Sequence, residues 1–204
     1  MESKFPQKIE KIIPYGKTRY KVLLSEGLVL IFYSSELKKL RLTEGGEISE
    51  AMYAEDILPV LSVRARERLV HILESSDKTE AELRRKLKES SYTQDAIDYA
   101  IEYCKAHNYI DDRRYAENYI NYKAQNKSEK LIRQELMKRG ISRDIIDELM
   151  AEATIDEASQ IVEELKKRHY SPDMDDKEKQ RIVGALARKG YSWNEISSAM
   201  KIEN

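Results

Sequence analysis

The chain has 204 residues, with 36 Lys and Arg set against 37 Asp and Glu; 41% of its residues are hydrophobic and 36% charged. That balance excludes a polybasic nucleic-acid binder, and an apolar share slightly below the globular norm beside so much charge excludes one wide core in favour of thin, well-solvated helical layers. Cys104 is the single cysteine, which excludes an internal disulfide and points to a reducing compartment. The opening "MESKFPQKIEKII" has no apolar signal core, and no apolar run approaches the roughly 18 residues of a membrane span. A cytoplasmic protein with no membrane partner is expected.

Residues 1–60 read as a small N-terminal region. "RYKVLLSEGLVLIFY" (19–33) places β-formers on both sides of a Ser-Glu-Gly break, which predicts a β-hairpin with Gly27 in its turn. "KIEKIIPY" (8–15) predicts a third strand that stops near Pro14. A short helix entered at Ser34 or Ser35 follows over 34–42, then a turn at Gly45-Gly46 and another short helix over 49–58.

From residue 61 the pattern is helical and repeats. "TEAELRRKLKESSYTQDAIDYA" (79–100), "SEKLIRQELMKRGISRDIIDEL" (128–149) and "EKQRIVGALARKGYSWNEISSA" (178–199) align at offsets of 49 and 50 residues. Leu83, Ile132 and Ile182 coincide, as do Leu87, Leu136 and Leu186, and Ile97, Ile146 and Ile196. Thr93, Ser142 and Ser192 share a position one residue before the last helix of each unit, where a hydroxyl can accept from an orphan backbone N–H. Thr79 with Glu82 and Ser192 with Glu195 form capping boxes. Gly140 and Gly190 end the preceding helices in left-handed geometry, with Ser91 in that place in the first unit. Another helix stands before each pair, over 64–75, 113–124 and 155–168. The expected architecture is mainly α: three tandem three-helix modules (61–110, 111–152 and 153–204) forming an elongated, curved body behind the β-hairpin region, each module leaning on its neighbour.

"YIDDRRYAENYI" (109–120) falls where the first module hands over to the second. Asp111 or Asp112 can cap the helix that begins near Arg113, with Ile110 as its hydrophobic staple and Tyr115, Tyr119 and Tyr122 on a packing face.

Conventional reactive sites find little support. His71, His107 and His169 lack Cys or His partners at metal-ligand spacing. Asp111-Asp112 and the Asp173, Asp175, Asp176 group are explained by helix capping, and neither follows a calcium-loop pattern. Cys104 shares an apolar stripe with Ile97, Ala100 and Ile101, which reads as a buried thiol. No phosphate-binding glycine loop is present. No enzyme activity, cofactor or metal is expected.

The basic clusters carry more. Arg84, Arg85 and Lys88 lie beside one another on the helix that turns Leu83 and Leu87 inward. Arg133 matches Arg84 in the second module, Lys138-Arg139 end that helix, and Arg188-Lys189 hold the places of Lys138-Arg139 in the third. C-terminal dipole pairing accounts for the helix-end cations but less well for mid-helix Arg84 and Arg85. A basic edge repeated along a helical body suits a groove bordered by phosphate or acidic protein. Seven of thirteen tyrosines lie between 92 and 122, a cluster better suited to packing thin modules than to stacking on bases.

The tandem three-helix repeats, "YIDDRRYAENYI", "IRQELMKRGIS" and the front segment "FYSSELKKLRLTEGGEIS" together resemble the RecX family of bacterial recombination regulators, over residues 8 to 200 and most strongly over 79–149. The resemblance implies a non-enzymatic monomer that binds the RecA recombinase and its filament on DNA, lies in the filament's groove, and restrains strand exchange and co-protease activity. Arg84, Arg85, Lys88, Arg133, Lys138 and Arg139 are the candidate groove contacts, with a weak direct contact to DNA as a secondary expectation. The third module departs from the pattern: Val183 stands where Arg84 and Arg133 do, behind the acidic approach "SPDMDD" (171–176). The alternative is a direct DNA-binding protein built of helix-turn-helix-like modules, although no segment carries a basic recognition helix.

Overall fold

A computed structural model describes residues 5–202; the first four residues of the N-terminal stretch read above lie outside the described residues. Strands β1 (Gln7–Tyr15), β2 (Arg19–Leu24), β3 (Val29–Tyr33) and β4 (Glu47–Ile48) form one antiparallel sheet in the order β3-β2-β1-β4. The predicted hairpin is β2–β3, and Gly27 turns it at φ +79°, a conformation that favours glycine. The predicted third strand is β1, but it runs through Pro14, which pairs with Tyr20 of β2. β4 reaches only Gln7 and Lys8, so the other flank of Pro14 is a sheet edge where a missing N–H costs no ladder bond. β4 was not expected; at two residues it is too short for an alternation signal.

Helix α1 spans Ser34–Lys39, and its first turn is closed by the Glu36 carboxylate accepting from the Tyr33 backbone N–H at 2.7 Å. α2 (Glu50–Met52) starts at Ser49, whose hydroxyl accepts from the Met52 N–H. The segment expected to stop near residue 58 continues instead, through a π-helical turn (Tyr53–Ile57) into α3 (Leu58–Leu73). Pro59 cannot donate a helical bond and its ring crowds the preceding turn; the widened turn is where the helix accommodates it. Residue 60 thus lies within a helix. α4 (Glu80–Glu89) and α5 (Gln94–Ala106) complete the first three-helix set.

Residues 5–111 form one compact unit. Val22, Leu24, Leu30 and Phe32 from the sheet share a buried cluster with Ile57, Leu61, Ala65 and Leu69, and with Leu83, Leu87, Ile97, Ile101 and Cys104. Sheet and helices therefore bury one another. At about 25 cal/mol per Å² of apolar surface removed from water, this shared cluster is the main source of the unit's stability. Arg64 of α3 fastens the two layers: one guanidinium nitrogen donates to the Ile31 carbonyl and to Glu36, each at 2.9 Å, beneath the Tyr33 ring. Ile110 joins this first cluster, where it serves the first core.

Residues 112–202 form the second unit. It holds α6 (Asp112–Lys123), α7 (Glu129–Lys138) and α8 (Arg143–Glu152), then α9 (Glu157–Lys167), α10 (Asp176–Arg188) and α11 (Trp193–Ile202). Each trio has its own core, centred on Ile132, Leu136 and Ile146 in one and on Ile182, Leu186 and Ile196 in the other. The aligned positions are thus the buried ones in all three modules. The caps follow the same register: Thr93, Ser142 and Ser192 accept from Ala96, Ile145 and Glu195 backbone N–H groups. Ser91, Gly140 and Gly190 adopt φ +61°, +87° and +93°. Asp175 caps α10 by accepting from the Glu178 N–H at 2.7 Å.

Within the second unit the two modules meet closely. The Ser128 N–H donates to the Lys189 carbonyl at 3.0 Å, and the Glu129 N–H donates to Glu157 Oε1 at 2.8 Å. Gln160 donates to the Ala124 carbonyl and accepts from the Tyr191 hydroxyl. Gly190 lies so near that an added Cβ would stand 2.2 Å from Ser128 Oγ and 2.6 Å from Leu131 Cβ.

Candidate functional site

The six basic residues singled out from the sequence fall into two kinds. Arg84, Arg133 and Arg139 are held by their own modules. Arg84 Nε donates to Glu80 Oε1 at 2.7 Å and its Nη1 to Asp98 Oδ1 at 2.5 Å, which ties the first turn of α4 to α5. Lys105 adds a contact to Glu80 at 3.1 Å. Burial alone would raise the Glu80 carboxyl pKa, but the bonds from Arg84 and Lys105 outweigh it and hold the pKa below its ordinary value.

Arg133 repeats this arrangement with Glu129, at 2.7 Å, and Asp147. Glu, Arg and Asp all recur at the 49-residue offset, so the mid-helix arginines that dipole pairing explained poorly are interhelical clasps. The third module has Lys179, Val183 and Ser197 at the corresponding places, so the clasp is absent there as a set. Arg139 lies over the rings of Tyr115 and Tyr119, 5.8 and 5.3 Å from their centroids. The Tyr119 hydroxyl donates to Glu135 at 2.6 Å; burial first, and that carboxylate second, push it up to about 12. Tyr115 and Tyr119 pack and anchor, as read from their spacing, but Tyr122, expected on the same face, is 72% exposed.

Arg85, Lys88 and Lys138 are the outward kind. Arg85 touches its own helix only through Glu89 at 4.0 Å, with a side chain 64% exposed. Lys88 and Lys138 are exposed and, among the described residues, have no carboxylate at ion-pair distance. Met137, 44% exposed, lies next to Lys138 on α7. Of the third-module counterparts, Lys189 is bound to Glu164 at 2.8 Å and Arg188 is exposed. Arg68 and Lys86, which lie off the repeated basic edge, also lack a carboxylate partner among the described residues. Their signal is weak in sequence because α3 and α4 bring them together from different segments.

Cys104 is buried in the first core, and burial raises its thiol pKa. Among the described residues, no three His, Cys, Asp or Glu side chains gather as metal ligands, and no helix is long and apolar enough to cross a membrane.

Comparison with known proteins matches this architecture module by module. The family models for the first, second and third three-helix domains of RecX match residues 65–104, 111–150 and 156–200. The chain belongs to the RecX family. The regulatory protein RecX of Clostridium acetobutylicum is 30% identical over 179 residues, covering 84% of this chain and 81% of that one. The regulatory protein RecX of Vibrio campbellii is 35% identical over 158 residues, which is 75% of this chain and 99% of that one. A crystal structure of regulatory protein RecX superposes with a TM-score of 0.58 at 25% identity, over 94% of this chain and 99% of that one. RecX from Lactobacillus salivarius shares the fold at a TM-score of 0.57, covering 70% of this chain and 96% of that one. The chain is therefore a RecX-type regulatory protein of three three-helix domains with a small antiparallel sheet in front.

Proposed function

We propose that this RecX-family protein binds the RecA filament and restrains its ATP hydrolysis, strand exchange and co-protease activity, acting without catalysis of its own. The observation that carries the reading is the match of all three RecX three-helix domains, in order, along one chain. The charge distribution supports it: cations left over after internal pairing point outward from modules whose net charge is near zero, as suits contact with an acidic polymer at several weak points.

Within this reading Arg85, Lys88 and Lys138 make the intermolecular contacts. Arg84, Arg133 and Arg139 hold the helices that present them while adding to the local positive field. The decisive experiment adds purified protein to RecA on single-stranded DNA and follows ATP hydrolysis and strand exchange. Both rates should fall as protein is added; rates unchanged at saturating protein would overturn the proposal.

A further inference from the structure

The third module leaves a groove open between α9 and α11. Ala158, Ile161 and Val162 of α9 line it with Asn194, Ser198 and Ala199 of α11, and its volume is about 720 Å³. The equivalent groove of the second module, between α6 and α8, measures about 180 Å³. Three changes within the repeat account for the difference. Buried Ala116 and Ile120 of α6 match buried Ile161 and Leu165 of α9, which sets Ala158 in the place of Arg113. The 50-residue offset sets Ser198 and Ala199 in the places of Glu148 and Leu149. In the second module Arg113 reaches across from α6 to Glu148 at 2.5 Å, and Leu149 lines the small gap that is left. In the third, Ala158 and Ser198 cannot build that bridge, and Ala199 lacks the bulk of a leucine.

The groove is apolar within and acidic at its rim. Glu157, Glu163 and Glu195 border it. Glu163 meets Lys167 at 3.6 Å, whereas Glu157 and Glu195 have no cation at ion-pair distance among the described residues. Each of these two accepts a backbone bond, from the Glu129 and Ser192 N–H groups respectively. Burial first, then the charges of Glu195 and Glu129, push the Glu157 carboxyl up. Lys130 and Arg133 line the depression beyond Glu157 and Glu195, and there Arg133 is already engaged by Glu129 and Asp147.

A cation arriving from outside relieves the repulsion among these carboxylates, and a phosphate or an acidic chain worsens it. The acidic polymer that Arg85, Lys88 and Lys138 suit is therefore not the occupant. A second copy in a symmetric pairing would set the same glutamates against each other. A trough between two helices, apolar along its floor and charged at its edge, fits a third helix laid into it with apolar residues at i, i+3, i+4 and i+7. Trp193, 63% exposed at the start of α11, adds a ring of the kind that anchors protein contacts.

We infer that the α9–α11 groove docks an amphipathic helix of a partner protein, with aliphatic side chains on its inner face and lysine or arginine along its flanks. This contact is separate from the filament reading and is tested without RecA, so either can fail alone.

The probe is a labelled, hydrocarbon-stapled 14-residue helix with leucines on one face and lysines beside them. It is titrated against the full chain by fluorescence anisotropy, and amide chemical shifts map where it lies. Shifts should concentrate on α9 and α11, and a counterpart with glutamate for lysine should not bind. E157Q/E163Q/E195Q removes the rim charge while glutamine keeps the acceptors, and should weaken binding about tenfold. A158R/S198E installs the bridge of the second module and should weaken binding at least about tenfold. Thermal melts at wild-type temperature show that the fold is kept; if A158R/S198E melts early, the glutamine triple carries the test. Both variants should inhibit RecA ATP hydrolysis as the wild type does. Four results overturn the inference: shifts centred outside α9 and α11, wild-type affinity in either folded variant, equal binding of the glutamate helix, or a concentration-dependent dimer that A158R/S198E abolishes. Loss of RecA inhibition in both folded variants would assign the groove to the filament contact and overturn it as well.

Discussion

Arg84 reaches from α4 to Asp98 on α5 at 2.5 Å, and Arg133 makes the same reach to Asp147 one module later. Each arginine also binds the glutamate one turn behind it, so a single side chain spans two helices. These side chains are 26% to 58% exposed, which limits the worth of each clasp to about 1 kcal/mol. R84A and R133A should each lower the urea-unfolding free energy by about that amount. Installing the missing clasp in the third module needs all members: K179E/V183R/S197D should be more stable than V183R alone, with positive coupling in a double-mutant cycle.

Gly190 sits at φ +93° with Ser128 and Leu131 pressed against the place a Cβ would take. G190A should cost about 2–4 kcal/mol, from left-handed strain plus overpacking. Gly16, at φ +78° with nothing within 4 Å, isolates the strain alone; G16A should cost only about 1 kcal/mol. Chemical denaturation of both variants checks the difference.

Glu164 and Glu157 should give the second unit opposing acid responses. The bond from Lys189 at 2.8 Å, with Arg168 and Lys167 nearby, holds the Glu164 carboxyl below its ordinary 4.5. The unfolded chain therefore protonates first, and the stability Glu164 contributes is complete above about pH 4.5 and is lost as pH falls through the lower folded value. Burial, with Glu195 and Glu129 close by, raises the Glu157 carboxyl above 4.5. Its charge costs stability at neutral pH, and that cost is relieved as pH falls through the raised folded value. E164Q should lower neutral-pH stability and flatten the acid limb of a melting-temperature profile. E157Q keeps an acceptor for the Glu129 N–H and should raise neutral-pH stability by a few tenths of a kcal/mol.

The Tyr53 hydroxyl bonds to Thr93 Oγ1 and Asp95 Oδ2, each at 3.1 Å, joining the π turn before α3 to the cap of α5. Burial above all pushes this hydroxyl up to about 12. Y53F should cost about 1 kcal/mol by calorimetry, since Thr93 keeps its bond to the Ala96 N–H.

R85E/K88E/K138E should weaken inhibition of RecA ATP hydrolysis by about a hundredfold in half-effective concentration, with each single reversal costing about two- to fivefold. Melting temperatures within a degree or so of wild type would separate this loss from misfolding. Unchanged inhibition by the folded triple variant would show that the contacts lie elsewhere.

The helical modules were readable because their information is local. Leu83, Leu87 and Ile97, with the cap at Thr93, sit at fixed spacings that recur two further times, and the cap at Thr79 recurs once, at Ser128. The 49-residue offset also carried the Glu80–Arg84–Asp98 clasp in plain view, yet reading the cations without their aligned carboxylates made Arg84 and Arg133 look free. Other features were hidden because they are made by tertiary approach. Asn108 at φ +56° folds the chain back beside α5, where Tyr109, His107 and Tyr103 line up; spacing alone suggested only packing. β4 is two residues long, and the passage from α2 into α3 turns on a π-helical accommodation of Pro59 that no periodicity announces.

The Ser128 amide, at the N-cap of α7 in one module, is sealed by the Lys189 carbonyl of the next. Its hydrogen-exchange lifetime is thus set by opening of a segment sixty residues downstream, and α7 cannot fray at its start while the last three helices stay folded. The two modules of the second unit should consequently melt in a single cooperative step, and one backbone proton suffices to watch it.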